Sequence, residues 1–170
     1  MDLALTNRKT LGQVFTPDFV AQELVAWAVR KEDDRLLDPS CGDGRFVTLH
    51  QNFVGVDIDK PAIRTANARA PWAKIYESDF FDWASRTSER FDAVVGNPPF
   101  IRYQRFSGLV RNRALGMAAS MGAQFNGLAS SWAPFLVVAA GLVRKGGRLA
   151  FVQRAILSEG SRVLPEGGGA

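Results

Sequence analysis

Apolar positions along this chain follow two spacings. Over FVAQELVAWAVR they recur at helical intervals and place Phe19, Val20, Leu24, Trp27 and Ala28 on one face, with Thr16 as N-cap and Pro17 in the first turn. An amphipathic helix over 17–30 is predicted. Downstream, short apolar segments each end in acids or glycines: RLLDPSCGDG, NFVGVDID, AKIYESDF, FDAVVGNPPF and GGRLAFVQ. The stretches between them suit short crossover helices, and Trp132 to Val143 reads as a buried helix. Alternation of strand and helix predicts an α/β fold with a mostly parallel sheet and flanking helices. Trp27, Phe135, Leu136 and Val138 are expected in the core.

In an open parallel sheet, ligands sit beyond the carboxyl ends of the strands, so the residues just after each strand carry the most weight. The first strand leads into Asp38-Pro39-Ser40-Cys41-Gly42-Asp43-Gly44, whose glycines permit tight backbone geometry and close approach of a ligand. The loop is neither GxGxxG nor a P-loop ending in GK[ST], which argues against a dinucleotide or ATP. After the second strand, Asp57 can accept two ribose hydroxyl hydrogens on its two oxygens, pointing to a nucleoside. After the third, Asp79 can accept from an adenine amino group while Phe80 supplies an apolar ring face. The alternative for either acid is a plain helix cap.

After the fourth strand stands Asn97-Pro98-Pro99-Phe100. Two prolines give up backbone donors and stiffen the turn. Such a turn can aim the Asn97 side-chain carbonyl and the Pro98 main-chain carbonyl at one point, as two acceptors for an amino group with two hydrogens. Those bonds would make a conjugated nitrogen more electron-rich and closer to tetrahedral, ready for in-line attack on a sulfonium methyl. Phe100 would stack on the planar base.

Composition adds three points. A length of 170 residues allows one domain with a real core. Residues 1–92 hold 12 basic and 15 acidic side chains, residues 93–170 hold 9 and 2. Arg102, Arg105, Arg111, Arg113, Arg144, Lys145, Arg148 and Arg154 lie in the acid-free stretch between Asp92 and Glu159, which offers a phosphate-facing surface; a solvated basic face is the alternative. The single cysteine, Cys41, excludes an internal disulfide, and with His50 it cannot build a zinc site, so no metal is expected. His50 reads as a surface or capping residue. The N-terminus has no secretory layout, and no apolar run reaches the roughly 18 residues of a membrane span. A cytoplasmic location is expected, with no membrane partner.

In this order the motifs resemble the N6-adenine DNA methyltransferases of restriction-modification systems, in the subgroup whose AdoMet motifs precede the catalytic one and whose recognition region comes last. The resemblance runs from about Leu11 to Val152 through GQVFTP, LLDPSCGDGRF, GVDID, SDFF and NPPFIRYQ. It implies the Rossmann-like fold of AdoMet-dependent methyltransferases, with S-adenosyl-L-methionine as cofactor. Phe15 and Thr16 would pack near its methionine end, and Asp38 with the Gly42 to Gly44 loop would hold its amino-acid moiety. Asp57 and Asp79 would hold ribose and adenine. Ser40, Cys41, Ile58 and Phe80 join this set as members of the same motifs.

Asn97, Pro98, Pro99 and Phe100 would bind a flipped adenine, since the amino nitrogen of a paired base is hydrogen-bonded within the duplex. Phe100 and Tyr103 would compensate for lost stacking, and Arg102, Arg105, Arg111 and Arg113 would grip the DNA backbone.

The chain departs from the family pattern at its far end. Residues 1–152 read as the methyltransferase core, while 153–170 read as an atypical, glycine-ended and disordered tail, with no target-recognition domain and with closing strands missing. A fragment, a degenerate protein and a core completed by a specificity or completing subunit all stay open. So do methylation of a protein glutamine amide or an RNA guanine amino group, and a noncatalytic AdoMet-binding module.

Overall fold

The computed structural model of the chain describes residues 16–98, 108–125 and 132–152. In chain order the elements are α1 (Asp18–Ala28), β1 (Leu36–Asp38), a 3-10 turn (Val47–Leu49), β2 (Phe53–Asp57), α2 (Lys60–Arg69) and β3 (Lys74–Glu77). Then come α3 (Phe80–Ala84), β4 (Phe91–Gly96), α4 (Gly108–Ser120), α5 (Trp132–Gly141) and β5 (Val143–Phe151). The strands form one sheet in the order β3-β2-β1-β4-β5, with every pairing parallel.

From β1 the chain steps outward through β2 to β3, then returns to the other side of β1 as β4. The order therefore reverses between β1 and β4, and beyond their carboxyl ends is where open parallel sheets bind ligands. Asp38 and Gly96 end these two strands.

β1 and β2 are buried at every position and β4 at all but one, as expected of central strands covered on both faces. On one face Leu37, Val56 and Val94 pack with Phe80 and Phe81 of α3, Ala114 of α4, and Phe135 and Val138 of α5. On the other, Leu36, Ala93 and Val95 meet Ala21, Val25 and Ala28 of α1. Each buried Val, Leu or Phe is worth roughly 1.5–3 kcal/mol, against about 0–1 for a surface ion pair, so the two apolar layers hold the sheet. α2 is started by Asp59, whose side chain accepts from the Ala62 amide, with Pro61 in its first turn.

Several expectations change. Pro17, not Thr16, occupies the N-cap position of α1, and no side chain caps that helix. The buried face of α1 is Ala21, Val25 and Ala28, while Phe19 and Trp27 are 67% and 52% exposed. The small alanines let the helix lie close over β4 and β5, and the larger rings are displaced to its flanks. Trp27 is thus no core residue. It stacks on the Arg148 guanidinium, 4.8 Å from the ring centroid, and its carbonyl accepts from that same side chain.

Leu136 is only half-buried, whereas Phe135 and Val138 are core. α5 ends at Gly141, and β5 starts at Val143, before the glycine pair that was expected to open it. The extra length is an irregularity: Phe91 pairs with Val143 but Ala93 with Arg148, and Gly146 takes φ +77° within the offset.

Candidate active site

The loop after β1 is fixed by its own backbone and by two acids. Asp38 Oδ1 accepts from the Ser40 amide at 3.1 Å, Cys41 N donates to the Val56 carbonyl at 3.0 Å, and Gly42 N donates to Asp57 Oδ2 at 2.7 Å. Gly42 and Gly44 take φ +52° and +85°, in the left-handed region that favours glycine. A Cβ on Gly44 would also stand 2.9 Å from the Ala66 methyl of α2, so the loop and that helix require this glycine to touch. The Cys41 side chain turns inward, opposite Gly55, whose absent Cβ would fall 2.8 Å from the sulfur. Burial pushes that thiol well above its ordinary range, and it sits in the core rather than facing a reactant.

Asp38 is 1% exposed, and its Oδ2 is buried without a hydrogen-bond partner among the described residues. Burial, with the charge of Asp57 adding to it, raises its pKa to about 8 against the Ser40 amide bond. A buried carboxylate oxygen with no donor is a place for a donor or a cation.

Asp57 is also buried. Its two oxygens accept from Gly42 N and Asp59 N, and burial raises its pKa over the opposing effect of these bonds. Each carboxylate oxygen still has a second lone pair. Ile58 beside it is 55% exposed at the strand end. The Asp57 carbonyl accepts from Ser78 N at 2.8 Å, which draws the end of β3 toward the end of β2.

Asp79 caps α3, its side chain accepting from Asp82 N at 3.0 Å, so the capping alternative is realised at this position; burial raises its pKa. Phe80 departs from the expectation of an open ring face. It is 5% exposed and packed on Phe135, with centroids 4.4 Å apart, because α3 turns it into the aromatic layer under the sheet.

Beyond β4, Gly96 and Asn97 join the loop just described. A Cβ on Gly96 would lie 2.6 Å from Asp38 Oδ1 and 3.3 Å from its Cγ, so only glycine lets the turn pass the buried acid. Ser40 Oγ donates to the Asn97 carbonyl at 3.3 Å, and Asn97 Nδ2 donates to Thr16 Oγ1 at 3.0 Å. Asn97 is half-buried and Pro98 buried. Thus Thr16, Ser40, Asp38 and Asn97 meet at the strand-order reversal.

Phe15, Pro99, Phe100, Arg102, Tyr103 and Arg105 lie outside the described residues. Arg111 sits half-buried on α4. Arg113 pairs with Asp82 at 2.8 Å, joining α4 to α3. Arg144 lies near the start of β5, paired with Asp92, and so belongs to the opposite end of the sheet from Asn97; Arg148 is engaged by Trp27. Among the described residues of the acid-free stretch, Arg113 and Arg144 are thus brought by folding to acids from the first half of the chain. Gly96 and the Thr16–Asn97 contact were not foreseen. Adjacency to Asn97 is the only sequence sign for the former, and the latter spans 81 residues.

The chain is 29% identical over 154 residues to the Type II methyltransferase M.TthHB8I of Thermus thermophilus, covering 85% of this chain and 35% of that protein. It is 36% identical over 117 residues to a tRNA1(Val) (adenine(37)-N6)-methyltransferase of Dickeya chrysanthemi, covering 54% and 46%. It therefore spans less than half the length of either relative. The fold is the Rossmann-like fold of AdoMet-dependent methyltransferases. A Listeria monocytogenes structure assigned to the class I S-adenosylmethionine-dependent methyltransferases superposes with a TM-score of 0.62 at 18% identity, over 93% of this chain and 54% of that one. Residues 70–161, more than half of the chain and spanning β3 through the Asn97 turn to β5, match the model of the Eco57I restriction-modification methylase. With the glycine loop and the Asn97-Pro98 turn meeting beyond the ends of β1 and β4, this chain belongs to the Eco57I restriction-modification methylase family.

Proposed function

We propose that this chain is the catalytic core of an AdoMet-dependent methyltransferase that modifies N6 of adenine in DNA. The observation that carries the reading is the contact of the glycine loop with the Asn97 turn, Ser40 Oγ to Asn97 O, which sets a cofactor loop beside two amino-group acceptors. The site suits the cofactor. Asp38 offers a buried, unpartnered oxygen to a cationic amino acid, Gly42 and Gly44 leave backbone room, Asp57 keeps acceptor capacity for ribose, and Ile58 is an exposed apolar side chain beside it. AdoMet, when bound, supplies an electrophilic methyl on sulfur.

The residues of the turn supply the rest. Asn97 Oδ1 and the Pro98 carbonyl accept the two amino hydrogens of the target base and raise electron density on its nitrogen. A duplex adenine must leave the stack to reach them, at a cost of a few kcal/mol. Phe100 and Tyr103 would stack on the flipped base, Arg102 and Arg105 would hold the backbone, and Phe15 would close the methionine end. DNA is the partner this reading requires, and a separate specificity or completing subunit belongs to the same proposal.

A second reading, adenine N6 in structured RNA, draws on the likeness to the tRNA methyltransferase. Labelled methyl transfer to unmethylated DNA and to tRNA, followed by nucleoside digestion, separates the two. N6-methyladenine from DNA is expected, with Asn97→Ala lowering the rate by about 10²–10³-fold at unchanged AdoMet affinity. Saturable AdoMet binding with label in neither nucleic acid would reject both in favour of a protein-amide substrate or a noncatalytic module.

A further inference from the structure

We infer that Thr16 is a positioning residue for Asn97: its side-chain oxygen orients the amide so that Oδ1, not Nδ2, faces the target base. The inference rests on the proposed role of Asn97. It adds a cause for the geometry that role needs.

A primary amide has an accepting edge and a donating edge, and turning it over exchanges them. A base amino group presents hydrogens, so only the accepting edge helps. The donating edge would oppose two N–H groups and repel the substrate. Nothing within Asn97 itself selects between the two states, so a neighbour must.

Thr16 is 6% exposed, and its Oγ1 lies 3.0 Å from Asn97 Nδ2. With that hydroxyl accepting an amide hydrogen, the nitrogen is directed toward the segment before α1, and the carbonyl edge faces the other way. The main chain of the same residue is held independently by Ser40 Oγ on its carbonyl. Among the described residues, bonds from two distant segments thus reach Asn97, one at its side chain and one at its backbone, so the reacting geometry does not depend on the short turn alone.

Helix capping, the role the sequence suggests for Thr16, is not what its hydroxyl does: Pro17 occupies the N-cap position of α1 and no side-chain oxygen caps it. A buried threonine at this point, where valine would fill the same space, is explained by the bond to Asn97.

The experiment compares Thr16→Val, which keeps the shape and removes the acceptor, with Thr16→Ser, which keeps the acceptor. In the full chain, the Asn97 side-chain amide pair is assigned in a nitrogen–proton NMR spectrum by its loss in Asn97→Ala. It should shift and lose exchange protection in Thr16→Val and keep both in Thr16→Ser. The single-turnover methyl-transfer rate should fall about ten- to a hundredfold in Thr16→Val, the scale expected of a misplaced reacting group, and recover in Thr16→Ser. Transfer is measured at saturating AdoMet, so that any change in cofactor affinity at Thr16, which the family resemblance sets near the methionine end, does not enter the rate.

An unchanged amide resonance in Thr16→Val overturns the inference, and so does a Thr16→Ser variant as slow as Thr16→Val. If Asn97→Ala leaves transfer intact, the proposed role of Asn97 fails instead, while the NMR comparison still decides whether Thr16 holds the amide.

Discussion

Asn in place of Asp38 should stabilise the cofactor-free protein while weakening its hold on AdoMet. The side chains have nearly the same shape. Asn Oδ1 can still accept from Ser40 N and pass under Gly96, where no Cβ intrudes. What changes is the charge. In the unfolded chain the Asp38 carboxyl ionises near its ordinary 3.8, while in the fold burial holds it protonated up to about 8.

The sign follows from proton counts. Between these two values the folded state binds the proton that the unfolded state has released, so stability falls as pH rises through that window. At about pH 7 the loss amounts to roughly 4 kcal/mol, taken as 1.36 kcal/mol for each pH unit above 3.8, and local relaxation makes this an upper figure. Asparagine has no such proton to lose. Asp38→Asn should therefore match the parent below about pH 4 and gain on it steadily to about pH 8, by several kcal/mol in urea unfolding across that series.

Binding supplies the second half of the test. A cation beside Oδ2 should drive the proton off Asp38, so AdoMet binding to the parent near pH 7 should release close to one proton. That number is read from the dependence of calorimetric enthalpy on buffer ionisation. Asp38→Asn should release none and bind at least tenfold more weakly. A variant that melts lower than the parent at pH 8, or a stability difference flat across the pH series, would refute the reasoning, because either means Asp38 is already ionised and satisfied in the fold.

Three further outcomes are expected. Gly96→Ala places a methyl 2.6 Å from the Asp38 carboxylate and should cost about 1–3 kcal/mol in denaturant unfolding together with AdoMet affinity; a stable, tightly binding variant would show that the turn moves freely. Phe80→Ala should lose about 3–5 kcal/mol, since the ring is packed on Phe135; a small stability loss with a large affinity loss would restore Phe80 to the adenine site. Arg113→Ala should change stability by about 0–1 kcal/mol and leave the salt dependence of DNA binding nearly unchanged, because its guanidinium is paired with Asp82; a drop of about one in the salt slope would make it a phosphate contact.

The sheet was legible because its signals are local. Leu36–Asp38, Phe53–Asp57 and Phe91–Gly96 are short, apolar and closed by acids or glycine, and a buried parallel strand needs little else. The same holds for the places of Asp38, Asp57 and Asn97, each read from its position at a strand end. The strand order itself, with β4 returning to the far side of β1, was not read from the sequence.

What sequence could not give is the outcome of packing. Both Phe19 and Trp27 lie on a face that periodicity allows, but α1 presses its alanines against the sheet because the approach is close, and a hydrophobic ranking has no term for distance. Arg113 and Arg144 look unopposed along the chain only because their partners, Asp82 and Asp92, are contributed by the first half.

Thr16 shows the same limit in polar form. Next to Pro17 it reads as a cap, since a cap requires only neighbours, whereas its bond to Asn97 requires the whole sheet to be built between them. That has a consequence for folding. Asp38 is buried against Gly96, and Asn97 is bonded to Ser40 and Thr16, only once β1 and β4 have paired, so the arrangement proposed to hold cofactor and amino group exists in no smaller piece of this fold. The cost at Asp38 is accordingly borne by the finished fold alone, which is why relieving it should raise stability and lower affinity in the same substitution.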